Sequence, residues 1–373
     1  MPYAHITGWG VSIPEKVLTN DDIAQMVETN DEWIRSRTGI AERRIVSPEQ
    51  STATLAADAA MKALEVANIN PADVDLIIVS SSSPEHIFPA TASLVQDHIG
   101  ASKAGAFDIL AACTGFIYAM DMAAQAIRSG SMQVAVVIGS ETLSRFVNWE
   151  DRNTCILFGD GAGAFVLQGS EQPGGVLSAT LRSDGSGADL LTILGGGSRY
   201  PASPDTLEQG LHYVQMDGRA VFRFATRVMA QATRDAAEKA GLAVDELDWV
   251  IPHQANRRII ETAARNLKLP MEKFVVNVDK FGNTSTASIP LATVEAAEDG
   301  RIQPGDKIVF VGFGGGLTWG ALTAEWSGPF TGERARQVWP YRFVRLYSVY
   351  SRFRSKMLQW IRKVESLIWG RHS

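Results

Sequence analysis

Cysteine is scarce in this chain: Cys113 and Cys155 are the two among 373 residues. A pair so placed sets up no disulfide framework and fits a reducing compartment. Neither lies in a CxxC, and the six histidines never fall at HxxxH spacing, so no metal site is expected. Long apolar runs are also missing; none approaches the roughly 20 residues a membrane span needs. The opening Met1-Pro2-Tyr3-Ala4-His5-Ile6-Thr7-Gly8 has no basic-then-apolar leader, and a cytoplasmic chain is expected. Although Gly159-Asp160-Gly161-Ala162-Gly163 is glycine-rich, no GK[ST] follows, and Asp160 would repel a phosphate. No nucleic-acid partner is expected.

What is present is a globular composition, 45% hydrophobic and 20% charged, with length for two domains or one large duplicated one. The net charge of −6 is unevenly spread. Residues 327–373 carry ten Lys/Arg against two Glu, a net +8 that leaves −14 on the remaining 326 residues. The tail is therefore a separate object.

Internal similarity supplies the architecture. The alanine-rich helical pattern at 52–67 and the strand pattern Val74 to Val79 recur 173 positions later. Ala63, Glu65, Ala67 and Asp75 return as Ala236, Glu238, Ala240 and Asp248; Val136-Val137-Ile138-Gly139 is answered by Val309-Phe310-Val311-Gly312. A constant offset between distant segments implies a duplicated α/β unit, and near-continuous apolar strands imply sheets covered by helices. Halves at 1–170 and 171–326 follow, then an extension at 327–373. Residues 170–212, rich in Gly, Ser and Pro, read as an irregular connection. Residues 217–240 read as a helix with Phe222, Ala225, Val228, Met229 and Ala232 on one face and Arg223 and Arg227 off it.

Chemistry collects where strands end. Ala106 to Leu110 reads as a buried strand, and Cys113 sits where it gives way to a helix running through Ile127. A helix start presents unpaired N–H groups whose field favours a thiolate, although a lone cysteine is also a common structural core residue. Val250-Ile251-Pro252-His253-Gln254-Ala255-Asn256 runs a strand into a histidine. Gly282-Asn283-Thr284-Ser285 puts small polar residues on the duplicate of the Cys113 region. Gly312-Phe313-Gly314-Gly315-Gly316-Leu317-Thr318-Trp319-Gly320 offers unshielded N–H donors of the kind that stabilise an oxyanion. Cys155, inside an apolar run, reads as core. At 30–40, Trp33 among Arg35 and Arg37 fits either an inward-packed amphipathic turn or an aromatic and guanidinium face for a nucleotide-bearing ligand.

Together, Ala111-Ala112-Cys113-Thr114-Gly115-Phe116, Pro252-His253-Gln254-Ala255-Asn256, Gly282-Asn283-Thr284-Ser285 and the 313–320 glycine segment resemble the four signatures of β-ketoacyl-acyl-carrier-protein synthase III. The resemblance implies the thiolase fold, a duplicated five-layer αβαβα arrangement, normally a homodimer, through about Trp326. It implies Cys113 as nucleophile, His253 and Asn283 as hydrogen-bond donors, and an oxyanion hole from the N–H groups of Cys113 and Gly315. Chain-elongating relatives instead resemble Cys–His–His, and hydroxymethylglutaryl-CoA synthases use a Glu base. Plant-type polyketide synthases share Cys–His–Asn but differ in motif context. The resemblance further implies CoA contacts at Trp33, Arg37, Thr38, Arg152 and Asn256, and an acyl pocket reached by Phe88 across the dimer. Carrier-protein docking falls at Arg223 and Arg258. The implied reaction starts fatty acid synthesis from an acyl-CoA and malonyl-acyl-carrier protein, both substrates, with no separate cofactor. A specialised acyltransferase or condensing enzyme of secondary metabolism with a longer or aromatic starter is the alternative.

The extension departs from that family. Phe343, Leu346, Tyr350, Phe353, Met357, Trp360, Val364 and Leu367 alternate three and four apart, predicting an amphipathic helix over about 341–369. Arg342, Arg345, Arg352, Lys356, Arg362 and Lys363 fall largely on other faces. Such a helix fits a peripheral contact with an anionic membrane, a protein contact, or packing on the body itself.

Overall fold

The computed structural model describes residues 1–330 and, in the extension, residues 350, 353–354, 356–358, 360–362 and 364–365. Two sheets form the frame. The first holds β1 (Tyr3–Ser12), β2 (Leu76–Ser80), β3 (Gly105–Ile109), β4 (Val134–Glu141) and β5 (Gly161–Ser170), in the order β1-β5-β4-β2-β3. The second holds β6 (Gly175–Ser183), β7 (Trp249–Pro252), β8 (Lys307–Gly314) and β9 (Thr318–Glu325), in the order β7-β8-β9-β6. Parallel pairing occurs in both sheets, β2 with β3 and β4 in the first and β7 with β8 in the second. The first sheet's edge strand β3 has no full counterpart; a single bridge from Val250 to Phe274 stands at that edge.

The 173-residue offset holds well beyond the segments that announced it. Strands β4 and β8 superpose in number end to end, 134–141 on 307–314. The turns Ala112–Thr114 and Ser285–Ala287 do likewise, and the helices after them begin at Gly115 and Ser288. Even the left-handed residue before each helix repeats, Ala112 at φ 45° and Ser285 at φ 49°. Both halves thus reverse the chain sharply between strand and helix at the same place.

Helices fill the layers. α1 (Asp31–Thr38) lies at the periphery, while α2 (Thr52–Ala67) covers the first sheet, its alanines letting it sit close. α3 (Gly115–Arg128) and α6 (Ser288–Glu298) lie between the sheets, sharing one core with Ile78, Phe165, Ile251 and Phe310. α4 (Gly218–Lys239) and α5 (Arg257–Leu267) cover the second sheet. The sequence is helix-like where one apolar face meets a sheet and apolar throughout where two faces do; α6 is buried at every position from Ser288 to Val294.

Three expectations are corrected. The 106–110 strand is a sheet edge, with Phe107 41% and Leu110 79% exposed, because among the described residues no strand pairs with the outer side of β3. Residues 170–212 contain β6, a full member of the second sheet whose Gly175 and Ser178 masked its alternation. Phe222 is half-buried and faces a cavity, while Val221 and Phe224 join Ala225, Val228, Met229 and Ala232 in the core. Body contacts also continue past Trp326: Ser327 Oγ lies 2.8 Å from His5 Nδ1, and Phe330 meets the His5 ring edge-on at 5.5 Å. Most of the expected 341–369 helix lies outside the described residues. Those described there are helical, and Tyr350, Phe353, Met357 and Trp360 are exposed. Among the described residues no helix is long and apolar enough to cross a membrane.

Candidate active site

Cys113, His253 and Asn283 arrive from three chain segments at one cavity of about 80 Å³, which Asn256, Phe222, Phe313 and Gly314 also line. The turn before α3 supplies Cys113, the end of β7 supplies His253, and the segment before α6 supplies Asn283. A second cavity of about 540 Å³ adjoins it at Cys113, with Leu110, Leu143, Phe158, Leu191, Ile193 and Val214 giving an apolar lining. Gly315 and Ser285 lie on that second wall.

His253 is buried, its N–H held by the Val311 carbonyl at 2.8 Å and its ring edge-on to Phe313 at 5.3 Å. Burial lowers its pKa to about 3, so the imidazole is neutral. Its tautomer follows from the hydrogen-bond pattern. Ser288 Oγ accepts the Gln254 N–H at 3.2 Å and lies 2.7 Å from His253 Nδ1. Among the described hydrogen bonds the Ser288 hydroxyl has no acceptor for its proton other than Nδ1, so the proton is assigned there and the ring proton to Nε2. Asn283 is fixed by the same logic: its Oδ1 accepts the Ser285 N–H at 2.8 Å, so the Nδ2 group is the donor end. Two neutral donors therefore accompany the thiol.

The thiol itself differs from the expectation. Burial pushes Cys113 up to about 12, with Glu141 acting in the same direction and Ser285 in the opposite one. Desolvation of a thiolate in a closed pocket outweighs the field of a helix start.

The ligand-facing residues fall into two groups. Arg152 lies over the Trp33 ring at 4.9 Å and Arg37 at 5.9 Å, and Asn256 Nδ2 donates to the Arg37 carbonyl at 3.0 Å. This aromatic and guanidinium cluster is tied directly to the inner cavity through Asn256. Thr38 does not join it: buried, it donates to the Ile34 carbonyl at 2.7 Å and accepts the Ile40 N–H at 3.0 Å, so its hydroxyl serves the end of α1. Phe88 is 85% exposed and Ile87 84%, and Phe88, expected to reach a pocket across the dimer, lines neither cavity of its own chain. Arg223 and Arg258 are exposed on α4 and α5, with Arg258 over Phe222 at 5.4 Å at the rim of the cavity. Cys155 is core, as its surroundings implied. Asp160 is structural, accepting from Val46 N at 2.9 Å and from Ser144 N at 2.9 Å.

Sequence reading overlooked Ser288, Ser285 and Glu141. Ser288 had a faint signal, being the first residue of the duplicated helix. Glu141 had none, since a carboxylate ending a strand ordinarily faces water. Among the described residues no cluster of three or more His, Cys, Asp or Glu is arranged to hold a metal ion.

A duplicated αβαβα body with a cysteine at the start of its central helix defines an acyl-transferring enzyme of the thiolase fold. The family model described as 3-oxoacyl-[acyl-carrier-protein (ACP)] synthase III matches residues 107–185, and its C-terminal counterpart matches residues 237–326. A β-ketoacyl-[acyl-carrier-protein] synthase III from Desulfitobacterium hafniense is 53% identical over 322 residues, covering 86% of this chain and 97% of that one. The crystal structure of 3-oxoacyl-[acyl-carrier-protein] synthase III from Aquifex aeolicus VF5 is 46% identical with a TM-score of 0.80, covering 87% of this chain and all of that one. The priming β-ketosynthase of the R1128 polyketide pathway is 34% identical with a TM-score of 0.81, over 88% of this chain and 97% of its own. The chain belongs to the β-ketoacyl-acyl-carrier-protein synthase III family, condensing acyltransferases that initiate fatty acid biosynthesis.

Proposed function

We propose that this chain joins an acyl-CoA to malonyl-acyl-carrier protein by decarboxylative Claisen condensation through an acyl-Cys113 intermediate. The observation that carries the reading is the single cavity where a cysteine meets two neutral donors, His253 Nε2–H and Asn283 Nδ2. Cys113 sulfur attacks the acyl-CoA carbonyl, and the N–H groups of Cys113 and Gly315 receive the oxyanion; one such donor contributes about 3–4 kcal/mol in related chemistry. CoA departs. Malonyl-carrier protein enters, and His253 and Asn283 donate to its thioester oxygen as CO2 leaves. The enolate carbon then attacks the acyl-Cys113 carbonyl and displaces the sulfur. An imidazole that stays neutral suits this step, since a cation would hold the enolate and blunt its attack.

CoA would approach along the Trp33 cluster, its adenine parting the Arg152–Trp33 contact and its pantetheine passing Asn256. Arg223 and Arg258, exposed beside the cavity rim, offer an acidic carrier protein its docking charges. Unpaired β3 with exposed Ile87, Phe88 and Leu110 nearby supports a homodimer in which each Phe88 reaches its partner's pocket. In the extension, exposed Tyr350, Phe353, Met357 and Trp360 in a +8 segment support a peripheral contact with an anionic membrane over packing on the body. One observation favours a second reading, a specialised condensing enzyme with a longer starter: the 540 Å³ apolar cavity beside Cys113.

Incubation with acetyl-CoA or octanoyl-CoA followed by intact-protein mass decides between the two starters. Cys113→Ala is expected to lose every acyl adduct yet keep malonyl decarboxylation, and His253→Ala to lose decarboxylation. Condensation by Cys113→Ala would refute the assignment.

A further inference from the structure

The acylation step proposed above, on which this inference rests, asks two N–H groups from different halves of the chain to meet one oxygen. Cys113 N lies in the turn before α3, and Gly315 N in the turn between β8 and β9. Both must come within about 3 Å of the developing oxyanion, so their mutual spacing decides whether the site works. Among the described residues no backbone hydrogen bond joins these two turns.

One side chain does join them. Thr318, buried at the start of β9, places its Oγ1 3.0 Å from the Ala111 carbonyl oxygen and 3.1 Å from the Gly315 carbonyl oxygen. The same Oγ1 lies 3.1 Å from Thr114 Oγ1. Carbonyls only accept, so the Thr318 proton is assigned to them as a three-centre bond and the Thr114 proton to Thr318 Oγ1. Ala111 and Thr114 close the turn around Cys113, with Thr114 N donating to the Ala111 carbonyl at 3.2 Å. Each anchored carbonyl is one Cα removed from an oxyanion donor: Ala111 O from Cys113 N across Ala112, and Gly315 O from Gly315 N across its own Cα.

Two further observations set this junction apart from ordinary packing. Thr114 holds the N-cap position of α3, where a threonine hydroxyl ordinarily accepts from the first N–H groups of its helix. Here it makes no such bond and turns to Thr318 instead. Ala112, between the anchored carbonyl and the Cys113 N–H, is left-handed at φ 45°, a conformation that alanine keeps only where its surroundings impose it.

We propose that Thr318 is the positioning residue of the oxyanion site, its hydroxyl holding the Cys113 and Gly315 N–H groups at one spacing. A Cβ on Gly314 would meet Cys113 N at 2.7 Å, so backbone contact there sets how close the two turns come. The Thr318 hydroxyl sets how far apart they stay. It acts through the two backbone segments and not on the substrate.

Because the Thr318 side chain also lines the larger cavity, the test varies shape and hydroxyl separately. Thr318→Val keeps the branched shape and removes the hydroxyl; Thr318→Ser keeps the hydroxyl and removes the methyl. Each full-length variant is measured for acyl-enzyme formation from acetyl-CoA or octanoyl-CoA by rapid-quench intact mass, for CoA affinity by calorimetry and for thermal unfolding. Alkylation of Cys113 by iodoacetamide is followed beside these, with Cys155 distinguished by peptide mass. Alkylation displaces iodide at a saturated carbon and forms no oxyanion, so it reports the thiol without the N–H pair. Thr318→Val is expected to slow acylation about 10- to 100-fold while alkylation and CoA affinity stay within about three-fold of the unsubstituted chain. Thr318→Ser is expected to acylate within about three-fold of it. Unchanged acylation by Thr318→Val overturns the assignment; so does a parallel fall of acylation and alkylation, or a Thr318→Ser variant as slow as Thr318→Val. If Thr318→Val does not fold, Thr114→Val, which removes the other hydroxyl of the junction, carries the same comparison. An unsubstituted chain that alkylates at Cys113 but forms no acyl-enzyme would refute the condensing reading and this assignment with it, whereas normal acylation left unchanged by Thr318→Val counts against Thr318 alone.

Discussion

Gly314 sits against the turn that carries Cys113, so the proposed oxyanion site depends on its lack of a side chain. A Cβ at this position would lie 2.7 Å from the Cys113 backbone nitrogen, 3.1 Å from Ala112 Cβ and 3.3 Å from Cys113 Cα. None of these is the end of a flexible side chain. In Gly314→Ala the turn before α3 must therefore retreat by roughly 0.5–1 Å to restore ordinary contact, and the nucleophile and one oxyanion N–H move with it. A misplacement of about 1 Å at reacting atoms costs on the order of 100-fold, and loss of one oxyanion donor about 100- to 1000-fold. Overpacking is expected to lower stability by about 1–3 kcal/mol. Trp33, Arg37 and Arg152 are not among the residues the added Cβ would meet, so the loss should appear in the acylation rate with little change in CoA affinity. Rapid-quench measurement of acyl-enzyme by mass, beside CoA titration by calorimetry, separates the two. Gly185→Ala is the control, since a Cβ there meets nothing within 4 Å. Acylation by Gly314→Ala within three-fold of the unsubstituted protein would refute the reasoning.

Two further predictions concern the pH response and the extension. With the folded-state pKa of His253 lowered to about 3, malonyl decarboxylation by Cys113→Ala is expected to stay flat from pH 8 to pH 5; a fall centred near 6.5 would mean the ring titrates normally. The same lowering makes the buried neutral ring a stabilising feature fully present above pH 6.5 and lost progressively as pH falls toward 3. Because Ser327 and Phe330 pack against His5, truncation belongs after Phe330. The truncated chain is expected to sediment as the full chain does, as the proposed dimer, while losing co-sedimentation with vesicles rich in anionic lipid; unchanged co-sedimentation removes the membrane role.

Local sequence determined a great deal of this protein. The offset of 173 residues follows from duplicated side-chain patterns, and patterns of that kind need only neighbours in the chain to be read. The long helix over 217–240 was legible too, and Asp217 caps it by accepting from Arg219 N and Ala220 N at the start of α4. The residue types Cys113, His253 and Asn283 stood out because each ends or follows an apolar strand. Family motifs then named their chemistry.

Only the tertiary structure decided how those groups are charged and what surrounds them. The pKa values of Cys113 and His253 depend on desolvation, which is set by residues hundreds of positions away and has no trace in a local window. Exposure of β3 depends on whether another strand pairs with it, a property of the sheet and not of Phe107 or Leu110. Glu141, without a signal of its own in the sequence, is buried where β4 meets the second half of the duplication at Thr286. Sequence fixes which groups exist and the local elements that carry them; burial and the meeting of distant segments decide which of them can react.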